Sequence, residues 1–127
     1  FRARGVLKAP LCIQTAVGIR GGIGVHYEDL MMMKRTADRL FGDDYIWSVL
    51  GAGRHQMPLS TMSAAMGGNV RVGLEDSLWG APGKLATSSA EQVTRIRTIL
   101  EALSPEVATP AETREILKLK RRDQMKI

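Results

Sequence analysis

Three short apolar runs, each closed by glycine or acid and each leading toward a helical pattern, set the limits on what this chain can fold into. Leu11-Cys-Ile-Gln-Thr-Ala-Val17 lies between Pro10 and Gly18, and at seven residues it suits a buried strand better than a helix. Four glycines follow within Gly18-Ile-Arg-Gly-Gly-Ile-Gly24, so the backbone there must turn sharply or approach something closely. From Tyr27 to Leu40 the period is helical, with Leu30, Met33, Ala37 and Leu40 on one face. Glu28 and Asp29 suit the first turn of that helix, and Gly42 suits its end. The cycle repeats with a strand over Tyr45–Leu50, the loop Gly51-Ala-Gly-Arg-His-Gln56, and a helix from Met57 to Met66 with Pro58 in its first turn. It repeats again with a strand over Asn69–Leu74, the acidic pair Glu75-Asp76, and a loop through Trp79, Gly80, Pro82 and Gly83. Ser88 or Ser89 then caps a helix over Ala90–Leu103, with Val93, Ile96, Ile99, Leu100 and Leu103 directed inward. Thr109 as N-cap and Pro110 at the first position open a last short helix to about Leu117.

The strand starts at 11, 45 and 69 are 34 and 24 residues apart, the spacing of successive βα units joined in parallel. The units run over about 11–42, 43–67 and 69–103, followed by a terminal helix at about 110–117 and a basic tail at 118–127. Three parallel strands alone leave long unpaired edges. A closed (β/α)8 barrel needs ~250 residues. The economical reading is therefore one domain over 1–127 that forms the C-terminal three βα units of such a barrel. A small free-standing three-layer α/β domain is the alternative. The chain also starts at Phe1 within sequence that reads as structured, as a fragment would.

Composition narrows the function classes. A chain of 127 residues with 44% hydrophobic side chains can bury a modest core, and one cysteine cannot form an internal disulfide. No apolar run reaches the ~20 residues needed to span a bilayer, and no secretory signal pattern is present. The net charge of +5 suggests a nucleic-acid partner, but its distribution argues against one. Arg2, Arg4 and Lys8 sit at one end, and Lys118, Lys120, Arg121, Arg122 and Lys126 face only Asp123 at the other. Residues 9–117 hold 10 basic and 12 acidic side chains, and aromatic residues are 5% of the chain. A nucleic-acid surface needs a basic, aromatic-bearing body, so the expectation is no nucleic acid and no membrane.

In parallel α/β folds, chemistry gathers at the C-terminal ends of the strands. That rule selects Gly18, Arg20, Gly21 and Gly22 after the first strand, and Gly51, Gly53, Arg54, His55 and Gln56 after the second. At the third, strand alternation puts Arg71, Gly73 and Glu75 on one side, and a curl at the strand end would bring Asp76 to the mouth as well. An arginine beside two carboxylates can keep one ionised as a metal ligand and orient the other as a base. It can equally be a structural ion pair tying down a strand end.

Val70-Arg-Val-Gly-Leu-Glu-Asp-Ser77, Gly83-Lys-Leu-Ala-Thr-Ser-Ser-Ala-Glu-Gln-Val93 and Val107-Ala-Thr-Pro-Ala-Glu-Thr-Arg-Glu-Ile-Leu117 resemble the C-terminal part of the β-keto acid cleavage enzymes. Met31–Asp44 and Trp47–Gln56 resemble the same family, so the likeness runs from about Gly5 to Leu119. The resemblance implies a zinc-dependent (β/α)8 barrel, cytoplasmic and homo-oligomeric (a tetramer), with this chain as strands six to eight. It also implies a reaction in which a β-keto acid and acetyl-CoA yield acetoacetate and a new acyl-CoA by retro-Claisen cleavage. Matched to this sequence, Glu75 is the carboxylate zinc ligand, Asp76 the general base, and Arg71 its partner and the anchor for substrate charge. The family's His-x-His zinc ligands have no counterpart here: His26 and His55 are 29 residues apart. The 127 residues alone are therefore expected to be inactive. Ser89 stands where the resemblance leads one to expect Asn.

Gly18, Arg20, Gly21, Gly22 and Arg54 are candidates for substrate or CoA contact, by backbone N–H groups and counter-charge. A tight βα turn is the alternative for the glycines, and an α/β anion-binding module without catalysis is the alternative for the whole chain. His55 reads as a ligand contact or a hydrogen-bonded loop side chain, and His26 as the entry of the first helix. Cys12, within an apolar strand, is expected to be a buried, inert thiol. The methionines at 31–33, 57, 62 and 66 read as packing. Trp47 reads as core, and Trp79 as a loop residue walling the pocket beside the acidic pair.

Overall fold

The computed structural model describes residues 2–119. Most of the basic tail, residues 120–127, lies outside the described residues. Strands β1 (Leu11–Val17), β2 (Tyr45–Gly51) and β3 (Asn69–Arg71) form a parallel sheet in the order β1-β2-β3. β1 pairs with β2 along its full length, from Leu11 opposite Tyr45 to Val17 opposite Gly51. β3 pairs only from Asn69 opposite Ser48 to Arg71 opposite Leu50. Helices α1 (Tyr27–Phe41), α2 (Gln56–Ala65), α3 (Ser89–Ala102) and α4 (Pro110–Ile116) follow in chain order, with short 3-10 turns at Arg2–Arg4 and Gly53–His55. The alternating α/β order and the parallel sheet follow the sequence pattern.

Two expected elements differ. The third strand ends at Arg71 rather than Leu74, because the chain turns at Gly73. The segment expected as a loop around Trp79–Gly83 is an antiparallel hairpin, β4 (Trp79–Ala81) with β5 (Lys84–Leu85), turning at Pro82-Gly83. Gly83 adopts φ +71°, a left-handed conformation that glycine takes without strain.

The core lies between the sheet and the helices. Val17, Trp47 and Val49 from one face of the sheet pack with Leu30 of α1 and Leu59 of α2, with Met33, Met62 and Met66 at the margin. Each fully buried aliphatic side chain in such a cluster stabilises the fold by about 1.5–3 kcal/mol. Three side chains link the polar atoms around Trp47. Trp47 Nε1 donates to Thr15 Oγ1 at 3.0 Å, Asn69 Nδ2 donates to the Trp47 carbonyl at 3.0 Å, and Ser63 Oγ donates to the Asn69 carbonyl at 2.8 Å. Gly68 admits this arrangement, since a Cβ there would lie 2.5 Å from both Ser63 Oγ and Trp47 Cε3.

The opposite face of the sheet is open among the described residues. Alternation directs Cys12 and Gln14 there, and both are exposed. The expected buried thiol is thereby corrected: an apolar strand of a parallel sheet is normally covered on both faces, and here the described helices cover one. Gln14 Nε2 donates to Ser48 Oγ across this face at 3.3 Å. Leu40, Val93 and Leu103, expected inward, are also exposed, while Leu30, Ala37 and Ile96 on the same helices are buried. α4 starts as its sequence dictates: Thr109 and Glu112 form a reciprocal capping box, with Pro110 at the first position.

At the N-terminal end of the sheet, Lys34 Nζ and the Tyr45 hydroxyl both donate to Asp38 Oδ1 at 2.6 Å. The Lys34 ammonium, and secondarily Tyr45, holds the Asp38 carboxyl below its ordinary range. A carboxyl whose native pKa is lowered stabilises the fold above its unfolded value and loses that contribution as pH falls through the native one. In acid titration of the folded protein, Asp38→Asn is therefore expected to flatten the loss of stability below about pH 4. An unchanged acid limb would contradict the assignment. Trp47→Phe is expected to lower the unfolding free energy by about 1–3 kcal/mol through lost packing and an orphaned Thr15 hydroxyl, measured by urea denaturation.

Candidate functional site

The C-terminal ends of the three strands are held together by backbone bonds. Ala52 N–H donates to the Val17 carbonyl at 3.0 Å, joining the β2–α2 connection to the end of β1. Gly53 N–H donates to the Asp76 carbonyl at 2.7 Å, joining the same connection to the turn after β3. Gly53 has φ +59° and open space where a Cβ would stand, so its role is conformational.

The turn after β3 is built on Gly73. Its carbonyl accepts from Asp76 N–H at 3.2 Å, Ser77 N–H at 3.1 Å, and Gln56 Nε2 at 2.9 Å. Leu74 N–H donates to Ser89 Oγ at 3.3 Å, while the neighbouring Ser88 caps α3 by accepting from Glu91 N–H. Serine at 89 thus pins the turn, and serine at 88 is the cap. Gln56 and Ser89 were not singled out as builders of this turn by the sequence. No local pattern reveals which donor will reach a carbonyl 17 residues away.

Arg71 is where the three predicted catalytic and metal residues meet. Its Nε donates to Asp76 Oδ2 at 3.0 Å and its Nη2 to Asp76 Oδ1 at 3.3 Å, a two-atom grip on one carboxylate. The same Nη2 donates to Glu75 Oε2 at 2.7 Å, and Nη1 reaches Gln14 Oε1 at 3.5 Å. Strand alternation, expected to put Glu75 on the side of Arg71, is not the cause; the curl expected to bring in Asp76 is, as a turn at Gly73. The Gly73 turn folds Glu75 and Asp76 back over the end of β3.

The two carboxylates differ in exposure. The Asp76 side chain is 8% exposed and that of Glu75 is 83% exposed. The inner one is oriented by a planar cation. The outer one faces solvent, where it can take a cation while keeping one bond to Arg71. Among the described residues, no three His, Cys, Asp or Glu side chains come together as a metal site. His26 stands at the N-cap of α1, and His55 Nε2 accepts from Arg54 Nε at 3.2 Å, so neither joins Glu75.

The glycine-rich loop spends part of its backbone on itself. Gly18 N–H donates to the Ile23 carbonyl at 3.1 Å and Gly22 N–H to the Ile19 carbonyl at 2.9 Å, while Arg20 and Gly21 are exposed. Arg54 lies elsewhere, on a cavity of about 660 Å³ between the start of α2 and the β4–β5 hairpin. Trp79 lines that cavity, as does Ser77, the residue after Asp76. Sequence reasoning placed Trp79 at the pocket wall but missed Arg95, which reaches the cavity from α3.

With this geometry established, comparison with known proteins decides the family. The family model described as beta-keto acid cleavage enzyme matches residues 1–119. The chain belongs to the beta-keto acid cleavage enzyme family. Within that family it is 61% identical over 120 residues to a 3,5-dioxohexanoate:acetyl-CoA acetone transferase of Paraburkholderia graminis, covering 94% of this chain and 39% of that protein. It is 33% identical over 121 residues to a 3-keto-5-aminohexanoate cleavage enzyme of Fusobacterium nucleatum, covering 95% of this chain and 42% of the relative. It is 34% identical over 115 residues to a 3-oxoadipate:acetyl-CoA acetyltransferase of Cupriavidus necator, covering 91% and 40%. The chain thus spans about two-fifths of the length of the curated beta-keto acid cleavage enzymes it matches. Among the described residues, no helix is long and apolar enough to cross a membrane.

Arg71→Lys tests the grip itself. A lysine ammonium is a point charge and cannot reproduce the planar two-atom contact with Asp76. The variant is expected to lose about 1–2 kcal/mol of stability, read by denaturant unfolding, because charge-assisted bonds to a nearly buried carboxylate are lost. A variant as stable as the parent would show that the pair does not hold the turn.

Proposed function

We propose that this chain supplies strands six to eight of a (β/α)8 barrel in a zinc-dependent β-keto acid cleavage enzyme. In that enzyme a β-keto acid and acetyl-CoA are converted to acetoacetate and a new acyl-CoA. The observation that carries the reading is Arg71 gripping Asp76 and Glu75 at the C-terminal end of a parallel sheet, where barrels place their chemistry. The open sheet face bearing Cys12, Gln14 and Arg71 supports the barrel, since a barrel interior is completed by strands from the rest of the wall.

Asp76 is the base. Held by Arg71 in one orientation, it removes a proton from the carbon between the ketone and the carboxylate of the substrate. Arg71 fixes the orientation of that carboxylate, and its partly exposed guanidinium attracts the substrate's own carboxylate. Glu75, turned to solvent, is a hard oxygen donor suited to zinc, with the remaining ligands contributed from outside this chain. Zinc held there would supply positive charge against which enolate charge develops. Gly18, Arg20, Gly21, Gly22 and Arg54 are the candidates for contact with substrate or CoA. The name of the Paraburkholderia relative makes a 3,5-dioxo acid the first substrate to assay.

The test uses the complete polypeptide with acetyl-CoA and a panel of β-keto acids, following acetoacetate release and bound zinc. Glu75→Ala is expected to lose both zinc and turnover. Asp76→Asn is expected to retain zinc and lose turnover by about 10²–10⁴-fold, the range of a general base. The 127-residue chain made alone is expected to show no turnover. Retention of zinc and turnover in Glu75→Ala would overturn the metal assignment.

A further inference from the structure

The cavity of about 660 Å³ between the start of α2 and the β4–β5 hairpin has a composition that the proton-transfer chemistry does not use. Its volume falls within the ~300–1,000 Å³ range of small-molecule sites. Two arginines reach it from different elements, Arg54 from the turn before α2 and Arg95 from α3. Arg54 Nε donates to the His55 ring, and Arg95 Nη1 donates to the Gly80 carbonyl. Among the described residues, neither has a carboxylate within ion-pair distance. Glu91 is the acid that feels Arg95, but its Oε2 is taken by the backbone and hydroxyl of Thr87. α2 also starts with no side-chain cap and no acid in its first turn.

Gln56 is 2% exposed and belongs to the cavity wall, its Nε2 spent on Gly73. Met57, Pro58 and Pro82 add apolar wall, and Trp79 adds an exposed aromatic side chain. The occupant that matches two arginines and an apolar wall has phosphate at one end and an apolar stretch beyond it.

We propose that this cavity holds the phosphate-bearing pantetheine arm of the CoA thioester, with Arg54 and Arg95 on its phosphates and the arm lying along Met57, Pro58 and Trp79. The inference rests on the enzyme reading above and gives the co-substrate an approach from the hairpin side. The cavity starts at Ser77, directly after Asp76, and Gly53 N–H ties its rim to the Asp76 carbonyl. An arm seated there would deliver its thioester toward the Arg71–Asp76 pair.

The experiment uses the complete polypeptide. Arg54→Gln, Arg95→Gln and, as a control, Arg97→Gln on the exposed side of α3 are compared for CoA affinity by calorimetry. The same variants are compared for KM with acetyl-CoA and with S-acetyl-pantetheine, which lacks the phosphates. The first two are expected to weaken CoA and raise the acetyl-CoA KM about tenfold or more, the effect of losing a charge-assisted contact. S-acetyl-pantetheine and the β-keto acid should change less than about twofold, and Arg97→Gln should match the parent. Arg54 is exposed and outside the hairpin, so its variant stands as the test even if Arg95→Gln disturbs the hairpin. Parental turnover with unmoved CoA affinity in both variants would overturn this cavity while leaving the enzyme reading in place. A parent protein that neither binds CoA nor makes a new acyl-CoA would overturn the enzyme reading itself.

Discussion

The ion pair between Arg71 and Asp76 is the constraint on which the site end of this chain depends. Arg71 is the last residue of β3, and Asp76 belongs to the turn that follows, so the pair closes the segment from Arg71 to Asp76 into a compact loop. That loop is also fixed from outside. Gly53 N–H holds the Asp76 carbonyl, Gln56 holds the Gly73 carbonyl, and Ser89 holds the Leu74 amide. The starts of α2 and α3 are therefore tied to one turn. A guanidinium with its stem on a strand and its donors on this turn converts sheet geometry into side-chain position. The energy per contact is modest, about 1.5–3 kcal/mol for a charge-assisted bond, but the orientation it imposes is specific.

The same pair separates two carboxylates that are neighbours in sequence. Asp76 is nearly buried and gripped through both oxygens, while Glu75 stands in solvent on a single bond. Adjacent acids in one environment would compete for one role. Here the turn gives them different surroundings, which is what a division between base and metal ligand requires.

The order of strands and helices was legible because each βα unit has its own punctuation: Gly18 after a strand and Gly51 at the end of one, Gly42 after a helix, Thr109-Pro110 at the start of another. Arg71, Glu75 and Asp76 were legible as a group because they crowd the end of the third apolar run. The physical cause of their meeting was not. Val72-Gly73-Leu74 alternates as a strand would, and only tertiary donors from Gln56 and Ser89 show that it turns. The Trp79–Leu85 hairpin was hidden because Gly80, Pro82 and Gly83 read as loop, whereas Gly80 lies within β4 and Pro82-Gly83 is the bend of a two-stranded ribbon. Cys12 misled for a different reason. Burial depends on what covers a face, and an apolar strand sequence is the same whether its second face is covered or bare. Arg95 escaped because a lone arginine on a helix gives no sign that a hairpin will curl toward it.

The central claim is that Asp76, oriented by Arg71, removes the proton from the carbon between ketone and carboxylate. The most direct measurement is deuterium wash-in at that carbon, followed by NMR in D2O on the complete polypeptide with a β-keto acid and no acetyl-CoA, against a protein-free background. The account predicts exchange above background for the parent and exchange at background for Asp76→Asn. Exchange in Asp76→Asn at the parent's rate would contradict it.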